Sequence, residues 1–309
     1  MPAGSATIPS PTAGFSGFRV SPFWGLVTVA ALLALGIWAP SGLWLLAFLA
    51  VIIVVHEGGH WYFARRAGMR PTEFYWGFGP EIIGVDYGGC RYGLKTVFLG
   101  GYVKLWGMTP TSDLPEGLTE DDLYRSASHG GRLATILAGP FTNIATAIIA
   151  FTVANYMESG SLVWTSGVAD TWSVIVGTSE ALWTWVTSIG TYIGAVFDTS
   201  GETQVPVRFL SPVAQAELSG WAVSQGAVTI LRWFAILSTA VGVVNLMPLP
   251  PLDGSHAAVT IAEKIRQVLQ RNTTVTVNVA RLEPLAYITL AGLTVLTIGA
   301  LVLDLRLGV

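Results

Sequence analysis

The fold class predicted for this chain is an α-helical integral membrane protein, and three observations predict it. Of 309 residues, 52% are hydrophobic and only 11% charged, against roughly 25% charged in a soluble domain. Mean hydropathy is +0.58. Five stretches approach the ~20 apolar residues that cross a bilayer as a helix. The twelve tryptophans suit a chain with many membrane–water interfaces. A net charge of −3 gives no ground for a nucleic-acid partner, and the single cysteine, Cys90, excludes an internal disulfide.

The elements follow in order. Residues 1–20 are rich in Pro, Gly, Ser and Thr, with one charge at Arg19, and read as a disordered tail. No basic region precedes an early apolar core, so they do not read as a signal peptide. The first span covers about 22–39, within a segment 21–42 ended by Pro40-Ser41-Gly42. The others cover about 43–64, 132–156, 228–249 and 285–303. The sum is about five transmembrane helices. In the loop 65–131, residues 73–107 carry glycines and short alternating apolar runs, which predicts a small membrane-associated β-hairpin or sheet. Residues 110–128, with Asp113, Glu116, Glu120, Asp121 and Asp122, read as a solvated acidic loop.

Basic residues orient the spans, because Lys and Arg collect in cytoplasmic loops. Arg65, Arg66, Arg70, Arg91, Lys95, Lys104 and Arg125 fall between spans two and three. Lys264, Arg266, Arg271 and Arg281 fall between four and five, whereas three and four are separated by Arg208 alone. The amino terminus is then cytoplasmic and the carboxyl terminus outside. A sixth stretch, 172–198, would reverse the last loop if it crossed. It reads instead as an amphipathic helix on the outer surface, with its tryptophans at the interface. The segments are thus 157–226, an extracytoplasmic loop with this helix; 227–256, a core helix; and 257–309, a cytoplasmic loop with the last span.

The strongest chemical signal is His56-Glu57-Gly58-Gly59-His60. Histidines at i and i+4 share a helix face and can reach one metal ion. Glu57 beside them suits a general base for water, whose pKa zinc lowers to about 7. Such short patterns also arise by chance. Here the motif closes an apolar run from Leu43 to Val55, where ionisable groups are expensive. Each glycine costs about 1 kcal/mol in a helix relative to alanine, so the pair marks a close approach. The second signal is Asn245-Leu246-Met247-Pro248-Leu249-Pro250-Pro251-Leu252-Asp253-Gly254. Its prolines break the helix and leave Asp253 free to face inward as a third ligand. Alone it reads better as a plain helix terminus with a turn at Asp253-Gly254. Spans two and four run the same way, however, which brings both motifs to the cytoplasmic end.

With these motifs in view, the chain resembles the site-2 proteases, the intramembrane zinc metalloproteases. Further matches are Ala64-Arg65-Arg66-Ala67-Gly68, Gly77-Phe78-Gly79-Pro80, Phe98-Leu99-Gly100-Gly101-Tyr102-Val103-Lys104 and Leu137-Ala138-Gly139-Pro140-Phe141-Thr142-Asn143. They cover about 43–156 and 228–303 in the family's order, with an actinobacterial flavour. The resemblance implies one zinc ion per chain on His56, His60 and Asp253, with Glu57 as general base. It implies Asn245 at the oxyanion or as a packing amide, and a catalytic core at 43–156. It also implies that Gly100, Gly101, Tyr102 and Val103 pair with an unwound substrate as an added strand. The implied substrates are single-span membrane proteins such as anti-sigma factors or remnant signal peptides, first trimmed by a site-1-type protease, at the plasma membrane. One departure stands out: Glu158 to Gly226 is too short for the PDZ domain that many bacterial members carry there. A membrane metal-ion transporter using the same His/Asp cluster is the alternative, but it would need neither Glu57 nor a peptide-pairing strand.

Overall fold

A computed structural model of the chain describes residues 15–108, 114, 117–198, 205, 209–271 and 282–307. Two compact units emerge. The first draws on Met1–Leu33, Leu49–Thr142 and Leu246–Glu283, the second on Ala34–Phe48, Asn143–Asn245 and Pro284–Val309.

The first unit contains the sheet. Strand β1 (Phe15–Val20) pairs antiparallel with β2 (Glu73–Tyr87), which pairs with β3 (Cys90–Lys104). Residues 15–20 were expected in the disordered tail and instead form a strand, with Val20 opposite Ile83 and Phe15 opposite Tyr87. Residues 1–14 of that tail lie outside the described residues. The physical reason is the edge: β2 would otherwise present unpaired backbone groups there, and aromatic and β-branched residues at Phe15, Phe18 and Val20 suit a strand. Gly88 and Gly89 join β2 to β3, both at positive φ, as a two-residue hairpin turn requires. Strand β3 curls back on itself. Residues 73–76 therefore lie opposite 91–94 as well as 101–104, and Tyr75 faces both Gly93 and Tyr102. Side chains pin the curl. Glu73 accepts from Tyr102 at 2.6 Å and Lys104 at 2.8 Å, and Arg91 holds both Glu81 and Asp86.

Among the described residues four helices are long and apolar enough to cross a membrane: α2 (Pro40–Arg66), α3 (His129–Ser159), α7 (Ala227–Asn245) and α9 (Glu283–Leu307). The first expected span is helix α1 (Pro22–Trp38). It is apolar but has only 17 residues, about 26 Å of rise against ~30 Å of hydrocarbon. Helix α2 stops where the sequence stops it. The N–H of Met69 reaches Ala64 O at 3.0 Å and that of Gly68 reaches Arg65 O at 3.2 Å, a Schellman closure made possible by Gly68 at φ +84°. Arg65 and Arg66 in the last turn suit the negative end of the helix dipole.

Two further boundaries differ from expectation. Helix α7 ends at Asn245, four residues before the expected end, because Pro248 forbids helical backbone just before it. Residues 257–270, expected as loop, belong to helix α8 (Asp253–Gln270). The three-and-four spacing of Ile261, Ile265, Val268 and Leu269 is the local signal for that helix. Arg208 and Arg281, together with residues 109–113 and 115–116, lie outside the described residues.

The second unit is helical. Helix α3 beyond Asn143 packs on α7, where Ser238 Oγ donates to Asn143 O at 3.0 Å and Ala147, Ala150, Phe151 and Ala235 form an apolar cluster. The stretch 172–198 is two helices, α4 (Trp164–Thr187) and α5 (Ile189–Phe197), so the first begins eight residues earlier than expected. Its amino-terminal half runs antiparallel along α3. Gly167 lies against the Ile148 carbonyl, and the Asn155 side chain donates to Ser166 Oγ and Asp170. Helix α5 docks on α9 through Tyr192, whose hydroxyl donates to Leu296 O. Helix α6 (Pro212–Gln225) is capped by Ser211 and tied to α7 by Trp233. Between Gly160 and Gly226 the described residues form helices and no strand.

Candidate active site

The HExxH residues lie in the third turn from the end of α2. His56 and Glu57 are buried. Spacing of i and i+4 stacks the imidazoles, and Asp253, the first residue of α8, reaches them from the far side of the sequence. His56 Nε2 lies 3.0 Å and His60 Nε2 3.3 Å from Asp253 Oδ2, and the two Nε2 atoms are 3.1 Å apart. Tetrahedral zinc, at about 2.0–2.1 Å from each donor, separates its ligand atoms by about 3.3 Å. Two imidazoles and a carboxylate at these separations fit that ion. Among the described residues they are the group of histidine and acidic side chains placed to hold a metal. His256, one turn on in α8, is not part of it.

The surroundings set the orientation. His60 Nδ1 lies 2.8 Å from Thr135 O, so this nitrogen donates and Nε2 keeps its lone pair for the centre, the usual outer arrangement of metal-binding histidines. Helix α3 comes close enough to do this because two glycines face each other's helix. A Cβ on Gly59 would meet Ala138 O and Thr142 Oγ1 at 2.7 Å, and one on Gly139 would meet His60 Nε2 at 2.3 Å. Thr142 Oγ1 closes the contact with hydrogen bonds to Val55 O and Gly139 O. Gly58, by contrast, faces open space. Asp253 is held by its own turn: a Cβ on Gly254 would meet Leu246 O at 2.2 Å, so the chain folds back on itself at a position open only to glycine.

Glu57 faces the sheet. Gly101 sits against it, since a Cβ there would fall 3.0 Å from Glu57 Cγ and 2.7 Å from Ile53 Cγ2. The Val103 backbone N–H lies near the Glu57 carboxylate. Of the four loop residues, Gly101, Tyr102 and Val103 are already paired on one side with Trp76, Tyr75 and Phe74. Gly100 is covered by the Phe78 ring. Their outer side is an edge of the three-stranded sheet. Asn245 ends α7, and its side-chain N–H donates to Val241 O at 3.0 Å within that helix. Sequence reasoning missed two contributors. One is the Gly139 backbone laid over the histidines. The other is the Val103 N–H, for which strand position relative to α2 was the needed signal.

A convergent two-histidine, one-carboxylate set beside an acid narrows the family, and comparison decides it: the model of peptidase family M50 matches residues 44–283. The chain belongs to peptidase family M50. Proteins similar to it include a candidate zinc metalloprotease of Mesorhizobium japonicum, 26% identical over 312 residues, covering 67% of this chain and 84% of that protein. A candidate zinc metalloprotease of Brucella suis is also 26% identical, over 319 residues, 71% of this chain and 84% of its own. The zinc metalloprotease Rip1 of Mycobacterium tuberculosis is 38% identical over 103 residues, 33% of this chain and 25% of that protein. As an M50 peptidase with apolar spanning helices, the chain is a membrane zinc metalloprotease of the site-2 protease type.

Proposed function

We propose that this M50 peptidase cleaves single-span membrane proteins within or at the edge of the bilayer, at the His56–His60–Asp253 centre. One observation carries the proposal: the three ligand atoms converge within 3.3 Å of one another, with Glu57 one residue on and a strand edge against it. His56, His60 and Asp253 hold zinc, which when bound polarises the scissile carbonyl and lowers the pKa of water. Glu57 accepts the proton from the attacking water and returns it to the leaving amine. The Val103 N–H orients the Glu57 carboxylate toward that task. The outer edge of Gly100–Val103 takes the unwound substrate as an added strand and satisfies backbone groups that would otherwise cost several kcal/mol each in lipid. Asn245 is assigned to the oxyanion by resemblance.

Anti-sigma factors or remnant signal peptides, trimmed beforehand by a site-1-type protease at the plasma membrane, are the substrate class the resemblance favours. A metal-ion transporter has no use for Glu57 or the strand edge. The test is cleavage of a single-span substrate by the purified protein, with zinc measured alongside. Native protein should hold about one zinc per chain, and His56→Ala or Asp253→Ala should each lose most of it. Glu57→Gln should keep the zinc and lose the cleavage, because an amide cannot accept the proton. Turnover by this variant above a few per cent of native would assign the base elsewhere, and full zinc in Asp253→Ala would remove that ligand.

A further inference from the structure

Helix α8, which begins with the candidate zinc ligand Asp253, is amphipathic the wrong way round for a helix in water. The side turned toward the protein is polar. Thr260 is buried and hydrogen-bonded to the Tyr124 hydroxyl at 3.1 Å, and Glu263 is buried against Arg132. The side turned away is apolar. Ile261, Ile265, Val268 and Leu269 are 47%, 53%, 64% and 77% exposed. Their spacing of four, three and one places them on one face, with the exposed Ala258 and Ala262 between. A soluble helix buries such a stripe and exposes its glutamate.

Two further observations say what covers the stripe. Lys264 and Arg266 flank it, one on each border when the helix is projected down its axis at 3.6 residues per turn. Both are exposed. That is the pattern of a helix lying in the plane of a membrane surface, its cations at the headgroups and its apolar face among the upper acyl chains. The level is also right. Ala257 of α8 packs with Ala64 in the last turns of α2 and Ile136 in the second turn of α3. Both are apolar helices long enough to span, and Arg65 and Arg66 follow Ala64 directly. So α8 lies where two spanning helices leave the hydrocarbon.

We propose that α8 is an interfacial helix: Ile261, Ile265, Val268 and Leu269 insert into the leaflet on the side where α2 ends and α3 begins, and Lys264 and Arg266 bind its anionic headgroups. The insertion holds the start of α8, and with it Asp253, at a fixed depth. The inference stands on the exposure pattern, the flanking cations and the level of α8, and does not depend on the cleavage reading.

The test uses the full chain in vesicles of phosphatidylethanolamine and phosphatidylglycerol, with a nitroxide attached to Ile265→Cys, Leu269→Cys or Gln270→Cys. Gln270 is exposed but lies off the stripe. Collision of the label with oxygen, which enters lipid, is compared with collision with a water-soluble nickel chelate. At Ile265 and Leu269 the oxygen-to-nickel ratio should exceed that at Gln270 several-fold, and Lys264→Glu with Arg266→Glu should reduce it. Equal ratios at all three positions would put the stripe in water and overturn the proposal. Shielding from both reagents at Ile265 and Leu269 would mean that a second copy or another protein covers the face, and would overturn it equally. An unchanged ratio in the charge-reversed variant would remove the headgroup contact.

Discussion

The α-carbon of Gly139 lies so close over the histidine pair that a Cβ there would stand 2.3 Å from His60 Nε2 and 2.7 Å from His56 Nε2. No side chain can occupy that space while the imidazoles converge on Asp253. Gly139→Ala is therefore expected to lower zinc content several-fold and cleavage with it, without loss of the helical far-UV signal. Gly58→Ala, whose Cβ meets nothing, should keep its zinc. Metal analysis of both purified variants decides the matter; equal zinc in the two would show that α3 can yield.

The Val103 N–H beside Glu57 gives a second outcome. Val103→Pro removes this donor and the strand's capacity to pair there. Cleavage should fall strongly while zinc stays bound. If the edge serves to hold unwound substrate, substrates carrying Gly or Pro near the scissile bond should suffer less than helix-stable ones. If the N–H serves Glu57 alone, the two substrates should lose activity equally. Cleavage rates for both substrates by both forms separate these roles.

The Arg132–Glu263 pair ties α8 to the start of α3, and both side chains are at least 90% buried. Removing one member of a buried pair strands the other charge, at a cost of about 3–5 kcal/mol. Glu263→Ala should therefore lower the thermal unfolding midpoint markedly in detergent, and Glu263→Gln should lower it less. Because α8 carries Asp253, zinc should also leave the alanine variant at a lower chelator concentration.

Orientation is tested from outside intact cells. Asp121 and Ser161 are both exposed, and the basic residues between α2 and α3 predict that they fall on opposite sides of the membrane, Asp121 on the cytoplasmic one. Asp121→Cys should be shielded from an impermeant maleimide, whereas Ser161→Cys should react. The reverse result would invert the topology.

Cys90 offers a pH test. Burial raises its thiol from the ordinary range to about 11, so the reactive thiolate is scarce at neutral pH and accumulates only as pH approaches that value. Alkylation of the native protein at pH 8 should be about a hundredfold slower than that of a free thiol, and unfolding should abolish the difference. Titration of the alkylation rate against pH reads it directly. Rapid modification of folded protein at pH 8 would mean the thiol is accessible.

Much of the candidate site was legible because its chemistry is local. Two histidines at i and i+4 must share a helix face, and an acidic residue after a proline run in an apolar chain has few other uses. Span positions were legible to within a few residues for the same reason, since hydropathy is summed over neighbours. Less legible were the features set by residues distant in sequence. Phe15–Val20 became a strand only because β2 had an open edge. The start of α4 at Trp164 depends on Gly167 meeting the backbone of α3.

The amino-acid sequence by itself determined the membrane setting, the hairpin, the HExxH helix and the breaking of the chain ahead of Asp253. Each follows from hydropathy, spacing or backbone restriction within about 20 residues. Only the tertiary structure decided that Asp253 meets His56 and His60 across some 190 positions of chain, that Gly139 roofs them, and that Val103 comes beside Glu57. It also decided that α8 turns its polar side inward. These depend on backbones approaching within van der Waals contact and on which face of a helix finds a partner. No single stretch of sequence encodes either, because packing is a property of two surfaces together.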